Sequence, residues 1–96
     1  MINAKIELVP LRICVDEKSV PVTLREAQVF SVILSHGPIP EKTIINYLWQ
    51  KEKPKGNIIA VYVFNLRRKI KKIGLTVKCK YGEYWVRERR RGKNKV

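Results

Sequence analysis

The side chains of this protein best suited to chemistry lie between Asn57 and Lys72, and their chemistry is recognition rather than bond making. Two amides (Asn57, Asn65), three apolar groups (Ile58, Val61, Phe64) and five cations (Arg67, Arg68, Lys69, Lys71, Lys72) fall within sixteen residues. An amide can pair with the adjacent donor and acceptor of an adenine edge, an apolar group can meet a thymine methyl, and a cation seeks phosphate. Five cations in six positions repel one another unless a polyanion accepts them. The other reading, a solvated helix end favoured by the helix dipole, stays open at this level.

Catalytic and metal chemistry find no support. His36 is the only histidine, and beyond Arg67 the only acids are Glu83 and Glu88, so no nucleophile–base pair is apparent. Cys14 and Cys79 stand far apart with no Cys-x-x-Cys spacing, which argues against zinc. Both sit in strand-like contexts and are expected to be buried, reduced thiols. No catalytic residue, metal, cofactor or small-molecule ligand is expected.

The charge distribution points the same way. The chain has 96 residues and a net charge of +13. Residues 1–66 hold eight basic and six acidic side chains, whereas residues 67–96 hold thirteen basic and two acidic. A field confined to one third of the chain marks a polyanion-binding surface. A membrane surface is the lesser candidate, because no basic helix carries an apolar insertion face. No apolar run is long enough to span a bilayer, and no secretory signal opens the chain, so a cytoplasmic protein is expected.

These groups need elements to position them. Ile6, Leu8, Leu11, Ile13 and Val15 alternate with polar neighbours and predict strands, followed by a polar turn at residues 16–19 and a short strand at residues 20–22. Pro21 confines that last strand to an edge. Thr23-Leu24-Arg25-Glu26 is a capping box that starts a helix, with Leu24, Ala27, Phe30, Ile33 and Leu34 as its apolar stripe. Pro40 opens a second helix over residues 41–49. After a charged loop, Asn57 is expected to cap a third helix over residues 58–73, stopped by Gly74. Residues 75–79 and 84–87 read as a hairpin turning at Tyr81-Gly82. Trp49, Tyr84 and Trp85 are expected in the core rather than as stacking platforms, and His36 at the surface.

On the third helix Ile59, Val63, Leu66 and Ile70 make one core stripe, while Asn57, Val61, Phe64, Asn65, Arg68 and Lys72 share the opposite face with Ile58 at its shoulder. Either that face meets a partner, or Val61 and Phe64 pack beneath the N-terminal strands or the hairpin.

The run Asn57-Ile58-Ile59-Ala60-Val61-Tyr62-Val63-Phe64-Asn65-Leu66-Arg67-Arg68-Lys69-Ile70 resembles the recognition-helix signature of OmpR/PhoB-type response regulators. Val20 to Glu26 resembles that family's first-helix start, and Ile39 to Trp49 its second helix. The likeness spans about Lys5 to Arg87. It implies an α+β winged helix-turn-helix fold over residues 1–88, with an N-terminal antiparallel sheet, three helices and a C-terminal β-hairpin wing. Residues 89–96 form a basic tail expected to be flexible. The resemblance further implies a sequence-specific, double-stranded DNA-binding transcription regulator, its third helix in the major groove and its wing at the minor groove.

The expected base-reading residues are Ile58, Val61, Phe64 and Asn65. Those expected on the DNA backbone are Asn57, Tyr62, Arg67, Arg68, Lys69 and Lys72. In the wing Lys80 leads, then Lys78 and Tyr81. The resemblance implies either a contact with RNA polymerase through loop residues 50–56 or, equally, a plain connecting loop there, and a homodimer on direct repeats is the family's habit. Relatives usually carry a receiver domain ahead of this one; here few residues precede the first strand, so the expectation is either a domain cut from a longer regulator or, slightly favoured by Met1, a stand-alone one. Ala60, Tyr62 and Asn65 replace the family's Asp, His and Arg, so target sequence cannot be carried over. The rivals are a non-specific architectural or nucleoid DNA-binding protein, and a winged helix that binds RNA or protein.

Overall fold

The computed structural model describes residues 2–89. Its architecture is α+β, with three helices and two three-stranded antiparallel sheets. Strands β1 (Ala4–Leu8), β2 (Leu11–Val15) and β3 (Lys18–Pro21) form the first sheet in that order. Helices α1 (Leu24–His36), α2 (Glu41–Leu48) and α3 (Ile58–Ile70) follow, with the two-residue strand β4 (Ile39–Pro40) between α1 and α2. A 3-10 turn at Lys71–Ile73 leads into β5 (Leu75–Lys80) and β6 (Glu83–Glu88), and the second sheet runs β4-β6-β5.

The capping box forms as its sequence suggests. Thr23 Oγ1 accepts from the Glu26 amide at 3.2 Å, and the Thr23 amide donates to Glu26 Oε1 at 2.9 Å. The buried stripe of α1 is Ala27, Val29, Phe30 and Ile33, and Leu24 is exposed. The helix is thus rotated from the expected phase, because Val29 meets the core where Leu24 does not. Glu26 is 4% exposed, the one buried charged residue among those described.

Pro21 does lie on an edge strand, opposite Arg12. The turn before β3 is tighter than expected, since Lys18 and Ser19 already pair with β2 and only Asp16 and Glu17 remain for it. Helix α3 gives way to the 3-10 turn at Lys71, and Gly74, with φ 83°, ends the run in the left-handed region. Asn57 holds the cap position without a side-chain hydrogen bond, so its expected capping role fails.

The core joins all these elements. Ile13 and Val20 from the first sheet meet Phe30 and Ile33 of α1, Ile44 of α2, Ile59, Val63, Leu66 and Ile70 of α3, and Leu75, Val77, Tyr84 and Val86 of the hairpin. Each fully buried aliphatic or Phe side chain contributes roughly 1.5–3 kcal/mol. Helix α3 is therefore held from both sides, by the first two helices and by the hairpin. Trp49 packs at the core margin and Tyr84 is buried, as expected of them. Cys14 is buried, but Cys79 is exposed, because inward alternation near the hairpin tip runs out past the core. Among the described residues no helix is long and apolar enough to cross a membrane.

Candidate nucleic-acid interface

The two faces of α3 differ sharply. Ile59, Val63, Leu66 and Ile70 are buried. On the opposite side Val61 is 53% and Phe64 59% exposed, and Asn57, Arg68 and Lys72 are exposed with them. Asn65 is half-buried on the same face. The alternative in which Val61 and Phe64 pack beneath other elements is thereby excluded. These two large apolar side chains lie within one helical turn of each other and form an exposed apolar patch beside the cations. The Arg68 guanidinium sits 5.9 Å from the Phe64 ring centroid, close enough for a cation–π contact.

Four expected contacts take different positions. Ile58 is half-buried against the core, because the helix start tucks its shoulder inward. Tyr62 is likewise packed on the core, its ring 6.2 Å from that of Trp49 and tilted to it. Lys69 is not a free cation: its Nζ donates to Glu26 Oε1 at 2.6 Å, pairing with the buried carboxylate. Arg67 turns toward the hairpin and donates from Nε to the Val77 carbonyl at 2.7 Å. Ile58 and Tyr62 are thus partly covered by the core, Lys69 is held by Glu26, and Arg67 keeps only the outer nitrogens of its guanidinium for a partner.

Glu26 and Arg25 of α1 hold this arrangement in place through partners distant in the chain. Glu26 serves both as the N3 member of the capping box and as the counter-charge of Lys69 on α3. Burial pushes its carboxyl upward, but the hydrogen bonds from Lys69 and the Thr23 amide outweigh this and hold it below its ordinary value. Arg25 donates from Nη1 to the Leu48 carbonyl at 3.1 Å and lies 4.4 Å over the Trp49 ring. It thereby fixes the end of α2 beside Tyr62. No sequence signal marks these partners, since each pair is joined only through the tertiary fold.

The hairpin tip is the second projecting feature. Tyr81 and Gly82 both have positive φ, 54° and 76°, which suits a two-residue turn matched to strand twist. Tyr81 is 92% exposed, and Lys80 Nζ lies 5.4 Å from its ring. Lys78 and Lys80 are exposed on the hairpin face turned away from the core.

Elsewhere, Lys53 Nζ donates to Asn46 Oδ1 and draws the charged loop back onto α2. His36 is exposed and stacks on Tyr47 at 5.1 Å. Among the described residues no three His, Cys, Asp or Glu side chains converge as a metal site would require. The basic segment at residues 90–96 lies outside the described residues. No protein-family model matches this sequence, and no curated protein matches it.

Proposed function

We propose that this chain is a sequence-specific, double-stranded DNA-binding transcription regulator of the winged-helix type, non-enzymatic and cytoplasmic, similar to the OmpR/PhoB-type effector domain. The observation that carries the reading is the outward face of α3, where exposed Val61 and Phe64 stand beside Asn65, Arg68 and Lys72. In this reading the N-terminal half of α3 enters the major groove. Val61 and Phe64 meet thymine methyls, the Asn65 amide pairs with adenine, and Arg68, Lys72 and Asn57 hold phosphates. Lys80 and Tyr81, at the hairpin tip, reach the neighbouring minor groove. The family resemblance extends the same reading to RNA polymerase through loop residues 50–56 and to paired copies on direct repeats.

The test is selection of bound sites from a random duplex pool, followed by competition against excess random DNA. A specific reader keeps one site under that competition. Asn65→Ala is expected to relax preference at one position by about 1–3 kcal/mol while leaving the salt dependence of binding nearly intact. Equal loss on every sequence, or no enriched site, favours the non-specific architectural reading. Equal affinity for duplex RNA favours the RNA-binding one.

A further inference from the structure

We infer that the C-terminal hairpin carries a second surface for a phosphodiester backbone, on the side away from α3, so that one molecule holds two duplexes. The inference rests on the reading of α3 given above.

Side chains of a hairpin alternate between its two faces. Leu75, Val77 and Val86 point into the core and are buried. Thr76 and Lys78 on β5, and Arg87 on β6, therefore point the other way. Thr76 lies opposite Arg87 and Lys78 opposite Trp85, which makes Lys78 and Arg87 diagonal neighbours on one face, about 7–8 Å apart. Arg89 follows β6, and its amide donates to the Gly74 carbonyl at 2.9 Å, fixing its backbone at the hairpin base. Alternation returns Arg89 to the side of Arg87, about 7 Å further along.

Thr76, Lys78, Arg87, Glu88 and Arg89 line a shallow cleft of about 360 Å³. Glu88 is the single carboxylate there. Among the described residues the ion pairs are Arg12 with Glu7 and Lys69 with Glu26, so none of the three cleft cations is neutralised by a carboxylate within 4.0 Å. Like charges on one sheet face repel, and an anion seated between them removes that repulsion. Two guanidinium forks, an ammonium and a hydroxyl make a donor set suited to phosphate oxygens. Their spacing along the strand fits successive phosphates of one backbone.

The partner is a second duplex rather than the first. Buried side chains of the hairpin separate the cleft from α3, and one straight duplex lying along α3 does not turn around the hairpin to reach it.

The experiment is a sandwich assay with the full chain, an immobilised duplex and a fluorescent second duplex, run beside fluorescence anisotropy on a single duplex. The wild-type protein is expected to retain the second duplex. The double variant Arg87→Glu, Arg89→Glu is expected to lose at least tenfold of that retention, while its single-duplex affinity moves less than threefold. Circular dichroism checks that this exposed pair leaves the fold intact, and Arg87→Gln with Arg89→Gln gives a milder version of the same loss. Retention undiminished in the charge-reversed protein overturns the inference, as does a wild type that binds one duplex and never a second. A wild type that binds no duplex overturns the reading of α3 as well.

Discussion

Both sheets are three-stranded and antiparallel, yet residues 4–21 carry three basic and three acidic side chains, whereas residues 67–89 carry nine basic and two acidic. In the first sheet Arg12 meets Glu7 at 2.7 Å across the strands, on an open surface. In the C-terminal part Lys69 has a carboxylate and Arg67 a carbonyl, and the remaining cations stand without a carboxylate within ion-pair distance among the described residues. The difference teaches how to read a basic protein. Formal charge counts cations, while structure separates those spent on the fold from those free for a partner.

Breaking the buried pair tests the sharpest side of this contrast. Glu26→Ala strands Lys69 and removes half of the capping box, so a loss of about 3 kcal/mol is expected in urea unfolding at pH 7. Acidity should reach the same interaction. The folded carboxyl lies below its ordinary value of 4.5, so its contribution is full above that value and is lost as pH falls through the lower folded one. The gap between wild type and Glu26→Gln should therefore close in acid. A gap of constant size from neutral to strongly acid pH would contradict the assignment.

Next in size come the free cations. Replacing Arg68 and Lys72 by Ala is expected to make the slope of log affinity against log salt shallower by about two. Lys69→Met should weaken the fold and leave that slope unchanged. A slope that moves equally for all three positions would erase the distinction between internal and available cations. The smallest effect belongs to the first sheet: Glu7→Gln should leave the denaturation midpoint unaltered, because an exposed pair adds little.

Much of the fold was legible because its signals are local. Thr23 and Glu26 announce a helix start within four residues, the stripe from Ile59 to Ile70 is periodic, and Tyr81-Gly82 sits where a hairpin must turn. What escaped was non-local. The strand Ile39–Pro40 is two residues long and exists only by pairing with β6. Lys69 reads as one more basic residue until the fold brings it to Glu26, 43 positions away. Ile58 and Tyr62 differ from their neighbours by a fraction of a helical turn, which α3's packing against Trp49 and the core decides. The face holding Val61, Phe64 and Arg68 was legible because it opposes a clean apolar stripe. The cleft beside Arg87 needed strand register, which sequence alone leaves open.

The hydrogen bond from Arg67 also closes an edge. β5 is the outermost strand of its sheet, and the two-residue turn pairs Lys80 with Glu83, which directs the Val77 backbone outward. That carbonyl would otherwise invite an extended segment from another molecule to dock and lengthen the sheet. With a guanidinium seated on it, the ladder stops. The same side chain that binds helix to hairpin thus also guards the open edge of the sheet against strand addition.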